Sequence, residues 1–453
     1  MSVVVVTPGY VEAMSSEKSS VMWFRRDLRV RDNPALLAAL EEGTVTALFV
    51  LDPALWKGAG PARRAWLSAN VLALAERIPL SVHLGDPREV VPRVADGRRV
   101  HVCAETTPYG RRRDDAIGSQ VDLVPTGSPY AVGPGLVRNG SGGAYQVFSA
   151  FARAWREHGW PEPAHTPRSP DLAPADSDQR ALDMMEAAVA DAPFDLPGAG
   201  EDAAWRRWRE FRDGGLEDYP TERDRPDHDG TSRLSAYLHL GVLHPRSLLA
   251  DIDTGSTWAT EIAWREFYAD VLWHEPASAW HDLKPTLEGM RYDDPEDAIE
   301  AWRTGTTGYP IVDAGMRQLL HSGWMHNRLR MITASFLTKD LHVWWPVGAR
   351  HFLDLLIDGD VASNNHGWQW VAGTGTDASP YFRVFNPITQ GLKFDPQGDY
   401  VRRWVPELAH LPGKAAHEPW KSDVGYEHDY PRRIVDHADE RTEALERYRA
   451  ARA

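Results

Sequence analysis

Between residues 20 and 130, short apolar runs alternate with amphipathic stretches. VMWF is followed by NPALLAALEEG, TALFVLD by ARRAWLSANVLALAERI, and LSVHLGD by REVVPRVADG; RRVHVCAE precedes a charged helical stretch, and VDLVP closes the series. Runs that are apolar at nearly every position suit strands covered on both faces, and their alternation with helices predicts a parallel, doubly wound sheet over residues 20–150. No GxGxxG follows the first strand, and the GSGG at Gly140–Gly143 comes after the last one, so it reads as a turn and the dinucleotide fingerprint is absent. Residues 151–200 become rich in Pro, Ala and Asp and lose their pattern until LDMMEAAVA; they read as an interdomain linker with one helix. From Glu201 the period turns helical, as in AAWRRWREF and PIVDAGMRQLLHSG, so residues 201–453 are predicted to form a large all-helical domain with a charged helical tail from residue 425. Residues 1–19 read as a loose extension. Their VVVV lacks the basic flank and length of a signal peptide, and Met14 suits a start just ahead of the first strand.

Composition narrows the function classes. The 19 tryptophans exceed ordinary use several-fold. Singly each suits a helical core; as a group they also suit stacking on a flat ligand or electron hopping. Cys103 is the one cysteine, which excludes an intrachain disulfide and a cysteine metal cluster and fits a reducing cytosol. No apolar run is long enough to span a membrane. A net charge of −15 argues against indiscriminate nucleic-acid binding, so any contact with DNA needs a local patch of named cations.

Three segments concentrate polar chemistry inside helical pattern. GTSRLSAYLHLG (Gly230–Gly241) puts Thr231, Ser232 and Ser235 at a helix start, where hydroxyls and backbone N–H groups hold an anion or merely cap the helix. WREFYADVLWHEP follows Glu261, and Glu261, Arg265 and Tyr268 share a helix face; a surface ion pair between Glu261 and Arg265 is the plain reading. Gly323–Asn386 gathers His326, Asn327, Arg328, Arg330, Met331, Trp345, Asp358, Asp360, Asn364, Trp368 and Trp370. Asp358 and Asp360 alone would suit a solvated turn or cap, and His326 a core histidine.

Together these segments resemble the photolyase/cryptochrome family, with WFRRDLRVRDNPAL (Trp23–Leu36) matching more diffusely. The closest pattern is that of bacterial class I cyclobutane pyrimidine dimer photolyases, over roughly Val21–Trp420. The resemblance implies an α/β domain followed by a helical FAD-binding domain, and light-driven repair of pyrimidine dimers by electron transfer from FADH⁻ to a flipped-out dimer. It places Tyr219, Thr231, Ser232, Arg233, Leu234, Ser235, Asn327, Arg330, Asp358, Asp360 and Asn364 on the flavin, with Arg330 pairing to Asp358. Glu261 becomes the acid that hydrogen-bonds the dimer, Trp264 and Trp370 the walls of its pocket, and Met331 a further dimer contact. Trp368, Trp345 and Tyr292 become the photoreduction chain, with Tyr292 standing where the family carries a third tryptophan. Arg223, Arg265, Arg328, Arg383 and Lys393 would meet DNA. ETTPYGRRRD (Glu105–Asp114) favours 8-hydroxy-5-deazaflavin over methenyltetrahydrofolate as an antenna between the domains. A monomer in a bacterial cytoplasm, without metal, is expected. Three rivals remain: a cryptochrome-like blue-light photoreceptor, disfavoured by Asn364 and the short tail; a (6-4) photolyase, disfavoured because Asn327 and Met331 are not histidines; and an adenine-nucleotide-binding enzyme using the first domain alone.

Overall fold

The computed structural model describes residues 19–376 and 382–452. Met14 and the expected extension, apart from Ser19, lie outside these residues, as does the 377–381 stretch of the tryptophan-rich motif.

The apolar runs form β1 (Ser19–Phe24), β2 (Thr44–Leu51), β3 (Leu80–Leu84), β4 (Val100–Val102) and β5 (Leu123–Pro125). They make one parallel sheet in the order β3-β2-β1-β4-β5. Val21 of central β1 is paired with Thr46 on one side and Val100 on the other. Helices α1 (Pro34–Leu40), α2 (Pro53–Lys57), α3 (Pro61–Arg77), α4 (Pro87–Ala95) and α5 (Pro108–Gly118) fill the connections. Each has proline in its first turn, where the missing N–H costs nothing. Asn33 rather than Asp32 caps α1, accepting from the Leu36 amide. Asp32 takes the left-handed φ of 50° and turns its carboxylate elsewhere.

Residues 148–200 are more ordered than their composition implies. They hold two helices, α6 (Phe148–His158) and α7 (Gln179–Ala190). Between them the chain is tied to the start of β2, ahead of its pairing with β3: the Val45 amide donates to the Asp171 carbonyl, and Leu172 forms a parallel bridge with Val45. α7 packs on α3 with Ala181 and Met185 buried. Isolated polar ties of this kind leave no periodicity in sequence.

The helical half runs α8 (Gly200–Gly214), α9 (Tyr219–Glu222), α10 (Ser235–Leu240), α11 (Pro245–Leu249), α12 (Thr257–His274), α13 (Glu296–Thr304) and α14 (Pro310–Ser322). It continues with α15 (Asn327–Ser335), α16 (Trp345–Leu355), α17 (Val361–Ala372), α18 (Pro387–Phe394), α19 (Asp399–Trp404) and the terminal α20 (His437–Ala451). The charged tail is docked, by Glu440 to His342 and Arg447 to Asp293, each at 2.8 Å. No helix among the described residues is long and apolar enough to cross a membrane.

Buried charges join the halves. Asp32 receives the Arg246 guanidinium (Nε at 2.8 and 3.0 Å), the Ser247 hydroxyl at 2.5 Å and the Ala164 amide at 2.7 Å. Glu201 accepts from the Val30 and Arg31 amides, and Glu266 from the Val132 amide and the Trp155 indole. At Gly241 (φ 65°) a Cβ would fall 2.0 Å from the Arg26 carbonyl oxygen, so glycine is what lets α10 end against the first domain.

Because Arg246 is buried and ion-paired with Asp32, Asp32→Asn should cost about 3–5 kcal/mol, the usual penalty for stranding a buried charge. The additional change Arg246→Met should recover much of the loss. Urea midpoints of the two variants and the unaltered protein check both expectations.

Candidate functional site

The site is built around α17, which packs against α12 and α16 and also touches α15. Asp360 caps α17, accepting from the Ser363 amide at 2.9 Å. The same carboxylate is bound by Arg26 of the first domain at 2.6 Å, with His239 3.7 Å away. Burial opposes its charge, but Arg26 and His239 hold the carboxyl well below the usual range. Asp358 pairs with Arg330 at 2.8 Å and is equally buried. Its second oxygen, Oδ1, has no hydrogen-bond partner among the described residues. Both acids are therefore buried and paired rather than part of a solvated turn.

One turn into α17, the Asn364 amide nitrogen donates to the Ala349 carbonyl at 3.1 Å and to Asn365 Oδ1 at 2.9 Å. Its oxygen is left as an acceptor. Trp368 is buried, whereas Trp370 is half-buried with the Arg383 guanidinium 5.9 Å from its ring centroid. On α15, Asn327 is exposed and Met331 half-buried. His326 caps that helix through the Arg328 amide, and its Nε2 has no partner among the described residues.

Thr231, Ser232 and Arg233 do not start a helix; α10 begins at Ser235. Arg233 interrupts with φ 54°, and the Arg207 guanidinium holds the Thr231 and Ser232 carbonyls at 2.9 Å each. Leu234 is buried beneath the loop, while Ser235 is exposed. Arg233 pairs with Asp229 and stacks over Trp324.

Glu261 on α12 pairs with Arg223 at 2.7 Å, not with Arg265. Arg223 arrives from α9, so a distant segment displaces the helical neighbour four residues on. Burial raises the Glu261 carboxyl above its ordinary range, and Arg223 only partly offsets this. Tyr219 lies beneath Arg223, and burial together with the Glu261 charge pushes its phenol up. Half-buried Trp264 is stacked on Phe148, 3.6 Å between centroids and 7° between planes.

Three of the five expected cations, Arg223, Arg328 and Lys393, form a chain at one rim, while Arg383 lies by Trp370. Arg223 leads through its neighbour Asp224 to Arg328 (2.5 Å), and Arg328 shares the Phe394 ring with Lys393. Arg265 does not join them: it donates to the Pro129 and Leu238 carbonyls at 3.1 Å each and covers Tyr130, so it holds the two halves together.

Trp345 is fully buried on α16. Gly348, one turn along that helix, makes room for the Trp368 ring: a Cβ there would fall 2.1 Å from it. Tyr292 lies against Trp344, 6.5 Å between centroids. Sequence reasoning missed Arg26, Asp224, Arg207, Trp344 and Phe148. Each acts through a partner on another element, and no spacing announces that.

The residues suit a flat heterocycle joined to phosphates. The unpartnered Asp358 oxygen and the Asn364 oxygen await donors, and the hydroxyls of Thr231 and Ser235 make no hydrogen bond among the described residues. A separate cavity of about 620 Å³, lined by Asp52, Arg88, Tyr109 and Arg113 among others, opens at the carboxyl ends of β2 and β3, the usual ligand edge of such sheets. No cluster of metal-ligating side chains occurs among the described residues.

A family model described as DNA photolyase matches residues 20–171, and one described as the FAD binding domain of DNA photolyase matches residues 258–450. The deoxyribodipyrimidine photo-lyase of Escherichia coli (strain K12) is 41% identical, over 95% of this chain and 98% of that protein. The crystal structure of a class III photolyase from Agrobacterium tumefaciens superposes with a TM-score of 0.86 at 34% identity, covering 98% of this chain and 99% of that one. The Synechocystis sp. PCC6803 cryptochrome gives 0.85 at 27% identity, covering 94% and 98%.

Arg223→Gln should move the Glu261 titration to higher pH, because the removed cation is what favours the carboxylate. The carboxylic-acid band of Glu261 in infrared difference spectra, assigned by its loss in Glu261→Gln, should persist to higher pH in the variant.

Proposed function

The chain belongs to the DNA photolyase family, and from that premise we propose that it is a deoxyribodipyrimidine photo-lyase of class I type that splits cyclobutane pyrimidine dimers in DNA. Reduced FAD supplies the light-excited one-electron donor, so the cycle needs no metal and has no net redox change. The chain's own residues bind, orient and stabilise. Thr231, Ser232, Arg233, Leu234 and Ser235 cradle phosphates, with Tyr219 beside them; Asn327, Asp358, Asp360 and Asn364 supply polar edges to the ring system, and Arg330 holds Asp358 in place.

The observation that carries the reading is the Glu261 carboxyl on α12, paired with Arg223 yet raised by burial, three residues before half-buried Trp264 on the same helix. Burial favours the protonated form of such a carboxyl, and that form donates a hydrogen bond to a pyrimidine carbonyl and stabilises the charge arriving there. Trp264 and Trp370 offer flat faces to an extruded dimer, and Met331 a soft apolar contact. Arg223, Arg328, Arg383 and Lys393 hold the flanking phosphates, which position the strand without reading its sequence. Trp368 and Trp345 lead inward electrons to the cofactor when it needs reduction. Asn327 and Met331, in place of histidines, favour cyclobutane dimers over (6-4) products. For the antenna, the motif at Glu105–Asp114 supports 8-hydroxy-5-deazaflavin, and the cavity that Tyr109 and Arg113 help to line supports the first domain as its seat.

The likeness to the Synechocystis cryptochrome motivates a second reading, a photoreceptor without repair. One assay separates them. Chemically reduced protein, without oxygen, should restore the ultraviolet absorbance of thymine in a dimer-containing oligonucleotide in light and not in darkness. Absence of restoration with reduced flavin bound favours the photoreceptor. Glu261→Ala should slow repair far more than it lowers flavin content; parallel losses would remove its assigned role. Trp264→Ala should weaken binding of the dimer oligonucleotide by about 1–3 kcal/mol, one base–aromatic stack, measured by fluorescence anisotropy.

A further inference from the structure

Trp344 occupies a place that no segment of the photoreduction path proposed above uses. Its ring centroid lies 6.4 Å from that of Trp345 and 6.5 Å from that of Tyr292, so it stands between them. One carboxylate oxygen, Asp282 Oδ1, accepts from both indoles, at 2.7 Å from Trp345 Nε1 and 3.3 Å from Trp344 Nε1. Trp345 is fully buried, whereas Trp344 is half-buried and within reach of solvent.

Tyr292, half-buried like Trp344, is nevertheless the poorer outlet. A phenol loses its proton on oxidation, and burial followed by the Asp282 charge raises its pKa. Its hydroxyl makes no hydrogen bond to a described residue. Trp302 also meets Trp368 edge-on at 6.1 Å, but it is fully buried and its N–H rests on the neutral Thr333 carbonyl. An anionic acceptor favours a positively charged indole more than a neutral one does.

We infer that Trp344 is the outlet of the electron path and that Asp282 takes its proton. The inference rests on the photolyase reading, with excited flavin, acting through Trp368, as the oxidant. Oxidised Trp345 takes one electron from Trp344 and returns to a closed shell. Trp344, left as a cation radical, passes its Nε1 proton to the Asp282 carboxylate, giving a neutral indolyl radical and a carboxylic acid. A thiolate in solution then returns one electron to Trp344, becoming a thiyl radical, and Asp282 returns the proton, so both groups are restored.

The test compares the unaltered, FAD-loaded protein with Trp344→Phe, Tyr292→Phe and Asp282→Asn, using flash absorption and electron paramagnetic resonance in the presence of thiol. Trp344→Phe should lose the long-lived radical and most light-driven flavin reduction. Tyr292→Phe should keep both. Asp282→Asn should still form the radical, but as a cation that persists instead of losing its proton. Indole-ring deuteration of the unaltered protein should change the resonance line shape, a check that needs no substitution. A tyrosyl signal there, a Trp344→Phe variant with the radical intact, or loss confined to Tyr292→Phe would overturn the inference. Repair by dithionite-reduced protein separates the two levels. Failure of that repair, with the Trp344 dependence retained, sinks the photolyase reading and leaves the outlet standing; normal repair with no Trp344 dependence does the reverse.

Discussion

The ion pair between Arg26 and Asp360 is the constraint on which the arrangement depends. It joins the end of β1, in one hydrophobic core, to the cap of α17, the helix that carries Asn364, Trp368 and Trp370. Burial alone would neutralise the carboxyl, so the native state keeps it ionised only by supplying a cation and a helix start together. A carboxyl whose native pKa is depressed stabilises the fold above its unfolded pKa, and that stability is lost as pH falls through the depressed native value. At neutral pH the first domain therefore acts as a clamp on the site helix, even though the chemistry assigned to that helix is not its own.

What was legible in sequence was whatever repeats along the chain. Strands β1 to β5 were readable because β1 and β2 are apolar in runs and helices with N-terminal prolines separate the strands. The tryptophan-rich helices were readable from motif and spacing, and the pairing of Arg330 with Asp358 is present as the resemblance implied. What was not legible was the choice among partners. Glu261 has Arg265 four residues ahead on its own helix, yet the ion pair goes to Arg223, because α9 packs on α12 and brings a guanidinium to the carboxyl while Arg265 is drawn to two carbonyls. The 151–200 stretch shows the same limit, since single amide–carbonyl ties dock it without any period.

The acidic body and the cationic rim are parts of one electrostatic arrangement. Arg223 and Arg328 are held by Glu261 and Asp224, and Lys393 and Arg383 lie over aromatic rings, so the rim is set before any phosphate arrives. Prior pairing lowers what each cation gains from DNA, and also lowers the entropy lost in fixing it. With a screening length of about 8 Å at physiological salt, most of the net charge of −15 is screened from a strand lying at the rim, and the cations beside that strand set the local field.

The tryptophans show how one side chain serves two ends. Trp66, Trp155, Trp208 and Trp302 are fully buried, and each indole N–H finds an acceptor: the Ala236 carbonyl, Glu266, Asp251 and the Thr333 carbonyl. These satisfy the ordinary demand that a buried donor be paired. Trp264, Trp344 and Trp370 are instead left half-exposed, on packed elements that set the tilt of their rings. Partial exposure is shared by Trp56, Trp160, Trp205, Trp273, Trp280, Trp324, Trp404 and Trp420, so what sets the three apart is their neighbours: Phe148 for Trp264, Trp345 and Tyr292 for Trp344, and Arg383 for Trp370.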